Sequence, residues 1–195
     1  NLHWIIYVVD CNRGVSFALD PLPSNYYYKF SIDLALQIKH IFESETCMIK
    51  SMFIGNVHND RDFQNNGHDC GPFICGYGEK LAFNLPLHNI EADKIRFLVR
   101  SLSENKIVRF SSVGAGPPSK FKTSPLSQLL TFDDAHIATF TFSCIDSKHI
   151  IAAHPVLSKA ICNLDAEYVS KYVSLSKFQD KRMIFLPLFV YNSRW

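Results

Sequence analysis

One stretch constrains this chain more than any other: Gln64-Asn65-Asn66-Gly67-His68-Asp69-Cys70-Gly71-Pro72-Phe73-Ile74-Cys75. A polar, Asn/Gly-rich loop gives way there to an apolar run over residues 73–83, long enough for a helix. A thiol at that junction lies at a helix N-terminus, where the backbone dipoles favour a thiolate. Cys70 is therefore a candidate nucleophile, and the helix behind it is expected to be buried.

A cysteine nucleophile needs a base, and the base needs a group that orients it. His3 and Trp4 open a strand-like run, Trp4-Ile5-Ile6-Tyr7-Val8-Val9, and Asp20 closes the next one over residues 15–19. Adjacent antiparallel strands would bring His3 and Asp20 side by side at one end of a sheet. Gln64, six residues before Cys70, offers a neutral amide that can donate to an oxyanion together with the Cys70 backbone N–H. His68, two residues before Cys70, is expected on the solvent or substrate side of the loop.

The chain has 195 residues, 47% of them hydrophobic, which suits one globular domain with a substantial core. A net charge of +2 with scattered basic residues gives no sign of nucleic-acid binding. No apolar run approaches a membrane span, and no leader pattern is visible. The six cysteines lie in a chain that is neither small nor loop-dominated, so buried free thiols in a reducing compartment are expected. The spacing of His58, His68, Cys70 and Cys75 does not match zinc-site patterns, and no metal or cofactor is required.

Residues 4–10 and 15–20 read as two strands joined at Cys11-Asn12-Arg13-Gly14, a turn-forming set. A helix is expected from Ser31, with Leu34, Ile38, Ile41 and Phe42 at helical spacing, and a strand over residues 48–54. After the helix that follows Cys70, Ile95, Leu98, Val99 and Leu102 recur at i, i+3, i+4 and i+7, predicting an amphipathic helix from about Ile90. Residues 111–120, with Gly114-Ala115-Gly116-Pro117-Pro118, read as a linker. Beyond it, helices are expected to start near Thr131 and to cover 156–162 and 166–176, and a strand to cover 184–189.

His-Trp, an Asp after the following strand, and Gln-x-Asn-x-x-Asp-Cys-Gly-x-Phe together resemble the motif set of the Ulp/SENP-like cysteine proteases, the clan that also holds adenovirus-type proteases and bacterial effector deubiquitinases. The resemblance implies an α+β, papain-like or adenain-like fold with a mixed central sheet and the nucleophile at the N-terminus of a buried helix. It implies a triad of Cys70, His3 and Asp20 with Gln64 in the oxyanion hole, and a Trp4 ring that lines the narrow channel admitting a Gly-Gly tail while also being able to belong to the core. Partners would be ubiquitin or a ubiquitin-like protein such as SUMO or NEDD8, met by a monomeric enzyme in the cytoplasm, the host's if the protein is a delivered bacterial effector.

The order of elements departs from the resembling family. There, a Leu-x-Asp-x-x-Ile helix start and an Ile-Phe-Leu-Pro-like strand precede the His-Trp strand; here they follow the nucleophile. Read cyclically, Trp195 runs into Asn1-Leu2-His3-Trp4 and the family order returns. The expectation is a circular permutant: one domain over residues 1–195, with a catalytic core in 1–110, a linker in 111–120 bridging the original ends, and a segment 121–195 that belongs before the His strand. A second departure bears on substrate. Where SUMO proteases usually carry a Trp that roofs the channel, this chain has Thr131, which favours ubiquitin. Competing expectations are a SUMO or NEDD8 protease, a clan-related acetyltransferase, and a non-catalytic binding module for ubiquitin-like proteins.

Overall fold

The computed structural model describes residues 2–22, 36, 53–54, 60–103, 149–153 and 181–191. Their elements are strands β1 (Leu2–Asp10), β2 (Val15–Leu19) and β3 (Phe53–Ile54), helices α1 (Cys70–Ala82) and α2 (Ala92–Ser103), and strands β4 (Ile150–Ala152) and β5 (Met183–Tyr191). The strands form one sheet in the order β3-β2-β1-β5-β4. β1 pairs antiparallel with both β2 and β5, while β3 and β4 add to the edges in parallel, so the sheet is mixed.

β1 is central because nearly everything along it is apolar. From Trp4 to Val9 every side chain is at most 2% exposed, so both of its faces are covered. Trp4, Ile6 and Val8 share one face with Phe17, Leu19 and Phe185, and the apolar side of α1 packs there through Cys70, Phe73, Ile74 and Tyr77. The register follows from this alternation, since a one-residue slip would turn each of these side chains to the other face. The β1–β2 connection is closed by Gly14 at φ 63, a left-handed conformation that glycine adopts without strain.

Pro187 stands in the middle of β5 opposite Ile6, although proline cannot donate to a ladder. The β4 ladder, however, ends at Ala152↔Phe185, so Pro187 lies beyond it on that side. α1 and α2 approach closely at Gly76, where an added Cβ would come within 2.8 Å of Ile90 Cγ2 and 3.1 Å of Ile95 Cδ1. A larger residue there would require the Ile90 and Ile95 side chains to shift.

The predicted strands at 4–10, 15–20 and 184–189 and the two predicted helices at Cys70 and near Ile90 are present, the second beginning at Ala92. β4 was not expected; three residues are too few to show a period. The helix expected from Ser31, apart from Leu36, and the linker 111–120, Thr131 and the expected helices after it lie outside the described residues.

Candidate active site

The β1–β2 register pairs Ile6 with Leu19. Continued one step, it sets Asp20 opposite Ile5 and on the same face as His3, one pleat along. Such diagonal neighbours are within reach of long side chains, and His3 Nε2 and Asp20 Oδ1 are 2.7 Å apart. Asp20 Oδ1 also accepts from the Leu22 N–H at 2.8 Å, which fixes the carboxylate just past the strand end. His3 is 4% exposed.

The third member arrives from α1. Cys70 is the first residue of the helix, 6% exposed, and its side chain is hydrogen-bonded to His3. With Nε2 committed to Asp20, Nδ1 is the ring nitrogen left for the sulfur. Burial lowers the His3 pKa, but the hydrogen bonds and charges of Asp20 and Cys70 outweigh it and raise it to about 9. At neutral pH the ring is thus an imidazolium held between a carboxylate and a sulfur, the arrangement that general acid catalysis on a leaving amine requires.

The loop before Cys70 is stitched to both neighbours. Gln64 N–H donates to the Pro21 carbonyl at 2.9 Å, and Arg61 Nη2 donates to the Asp20 carbonyl at 3.0 Å, so the loop is tied to the turn that carries the triad acid. The Arg61 guanidinium also lies 4.5 Å from the centre of the Phe63 ring. On the other side, Asp62 Oδ2 accepts from Ile90 N–H at 3.1 Å, and the Asp62 carbonyl accepts from Tyr77 Oη at 2.5 Å. Asn66 organises the last turn: its Oδ1 accepts from the His68 and Asp69 N–H groups, both at 3.0 Å, and its Nδ2 donates to Asp69 Oδ2 at 2.6 Å.

The structure brings together His3, Asp20 and Cys70, with Gln64 in the adjoining loop. Gln64 is 4% exposed and its Nε2 donates to the Asn66 carbonyl at 2.5 Å, while its Oε1 is buried without a hydrogen-bond partner. One N–H of that amide is committed within the loop itself. His68 has a side chain 61% exposed, as its loop position suggested. Trp4 is 2% exposed, and its ring lies tilted against that of Phe189, its cross-strand partner on β5, with the ring centroids 4.6 Å apart. In this structure its ring is closed into the core.

Arg61 and Arg96 were not singled out from sequence, and Asn66 entered only as the Asn of the Gln-x-Asn-x-x-Asp-Cys motif, with no role assigned. Asn66 carries a local signal, an Asn three residues before Asp69 in a turn. Arg96, 27 residues from Asp69, carries none. Among the described residues, Cys11, Cys70 and Cys75 form no disulfide.

A model of the Ulp1 protease family's C-terminal catalytic domain matches residues 1–113, more than half of the chain. The chain belongs to that family of cysteine proteases, whose members act on ubiquitin-like proteins of the SUMO type. No curated protein and no solved structure matches it.

Proposed function

We propose that this Ulp1-family protease hydrolyses the peptide or isopeptide bond that follows the C-terminal Gly-Gly of a ubiquitin-like modifier, with ubiquitin preferred, and that Cys70, His3, Asp20 and Gln64 carry the reaction. The observation that carries this reading is the His3 ring, buried and bonded at once to the Asp20 carboxylate and the Cys70 sulfur. The sulfur attacks the glycine carbonyl carbon, forming a C–S bond and a tetrahedral oxyanion. The Cys70 N–H and the Gln64 amide stabilise that oxyanion, each donor contributing about 2.7–4 kcal/mol in comparable acyl-transfer sites. As the C–N bond breaks, His3 passes its proton to the leaving amine. His3 then takes a proton from water, whose oxygen displaces the sulfur and releases the modifier as a free carboxylate. Asp20 keeps the imidazole in the orientation both transfers need.

Thr131, in place of a channel-roofing Trp, is what favours ubiquitin over SUMO. Free thiols suit a reducing cytoplasm, and an effector delivered into a host cell is the setting we propose. The circularly permuted order is also part of this reading, and two features support it. Leu2 and Tyr191 are paired antiparallel, so β5 and β1 are arranged as the arms of a hairpin. Taken cyclically from β4, the sheet order β4-β5-β1-β2-β3 runs in unbroken chain order.

The test is labelling with ubiquitin, SUMO and NEDD8 probes bearing a C-terminal electrophile, on wild type and Cys70→Ala. The expected result is a ubiquitin adduct at Cys70, absent from the variant. An adduct with SUMO or NEDD8 alone would overturn the ubiquitin preference and keep the mechanism; no adduct from folded protein would overturn the reading.

A further inference from the structure

Asp69 is the residue before the nucleophile and the N-cap of α1, yet its side chain makes no capping hydrogen bond to the helix. An Asp in that position ordinarily accepts from a backbone N–H of the first turn. Here the chain runs Cys70-Gly71-Pro72, and Pro72 has no N–H to offer at the third position. Both carboxylate oxygens are instead bonded to side chains outside the helix's first turn. Oδ2 accepts from Asn66 Nδ2 at 2.6 Å, and Oδ1 is bound by Arg96 Nη2, which also lies 3.4 Å from the His68 carbonyl. Arg96 is 5% exposed and comes from the middle of α2, a helix that carries none of the residues proposed for the chemistry.

The arrangement places a half-buried carboxylate on the residue next to the nucleophile and binds a buried guanidinium to it. Without the guanidinium, the carboxylate would oppose charge on the sulfur and on an oxyanion formed above it, and it would be drawn toward the N–H groups of the first turn that an oxyanion needs. We propose that Arg96 is a positioning residue for the reaction. By holding the Asp69 carboxylate out of the α1 N-terminus, it keeps both the field and the backbone donors of that terminus for Cys70 and the oxyanion. The inference rests on Cys70 being the nucleophile. The titratable and charged groups of the triad, the loop and the ion pair are His3 from β1 and Asp20 after β2, Arg61, His68 and Asp69 from the loop, and Arg96 with its neighbour Asp93 from α2. β5 contributes none.

The experiment compares wild type, Arg96→Met, Arg96→Lys, Asp69→Asn and the neutral double variant Asp69→Asn/Arg96→Met. It reads kcat and KM against pH on whichever modifier labels Cys70, with circular dichroism and thermal melting alongside. In Arg96→Met, kcat is expected to fall about tenfold with KM little changed, and both limbs of the kcat/KM profile to move up by about one pH unit. Arg96→Lys should recover part of the loss. Asp69→Asn should move the limbs the other way, and the double variant should lie between. Unmoved limbs in folded Arg96→Met, or a loss that only follows the melting temperature, would overturn the proposal. Should Arg96→Met not fold, a kcat for the double variant well below that of Asp69→Asn would overturn it equally, because Arg96 then has no carboxylate left to hold. Absence of a Cys70 adduct in wild type would instead remove the reading beneath it.

Discussion

The two halves of the site are built by different means. His3 and Asp20 are held by backbone: their approach follows from the pairing of β1 with β2, and β1 is locked on its other side by nine paired positions with β5. Cys70 is held by side chains: Asn66, Asp69, Arg96, Arg61 and Tyr77 fasten an otherwise irregular loop to its surroundings. The first half draws its rigidity from apolar burial on both sheet faces, the second from polar groups that must each be satisfied. Damage to the sheet should therefore appear mainly as lost stability, and damage to the loop mainly as lost rate.

The largest effects fall where the halves meet. Cys70→Ala and His3→Ala should each lower kcat/KM by about a thousandfold or more in a modifier-cleavage assay, with the fold intact by circular dichroism. Asp20→Asn keeps a group of the same shape but removes the charge that holds the imidazole, and should cost on the order of 10²–10⁴ in kcat. It should also bring down the pH at which activity is lost on the alkaline side, because Asp20 contributes to the raised His3 pKa.

The contrast itself is tested by a pair of milder changes. Ile6→Ala, in the sheet, should destabilise by about 2–5 kcal/mol in urea unfolding and leave the rate per folded molecule nearly unchanged. Asn66→Ala, in the loop, should cost about 0.5–2 kcal/mol of stability and yet lower kcat about tenfold, because it releases the turn that aims Cys70. The reverse pattern would show that the two halves are not built as described.

The smallest effect is on pH-dependent stability. The folded-state pKa of His3 is raised from 6.5 to about 9, so its stabilising contribution is fully present below about 6.5 and is lost as pH rises through about 9. Melting temperature should decline across that window, and His3→Gln should flatten the decline. His88, between Asp60 and Asp62 at the surface, is raised in the same direction by its hydrogen bond to Asp62, and His88→Gln serves as the exposed counterpart with the weaker effect.

What could be read from the sequence divides along the same line. β1, β2, β5, α1 and the amphipathic α2 were legible because apolar patterning and the Asn/Gly loop are local signals. The pairing of His3 with Asp20 was legible because two short strands and one turn separate them. The contact of Trp4 with Phe189 was not legible, because the two lie at opposite ends of the chain, where no local pattern reports it. β4 was too short to show a period, and Arg96 was invisible because an ion pair between α2 and the loop depends on how α1 and α2 pack at Gly76.

The most direct test of the account is alkylation of the native protein by iodoacetamide from about pH 5 to 9, read cysteine by cysteine by mass spectrometry in wild type and His3→Ala. Cys70 should react fastest near neutral pH and lose that advantage in His3→Ala. Cys75, 2% exposed in the core, should stay silent, and Cys11, whose thiol burial pushes up to about 11, should respond only toward alkaline pH. Cys70 reacting no faster than Cys11, or equally fast without His3, would contradict the claim that these two side chains form one reactive unit.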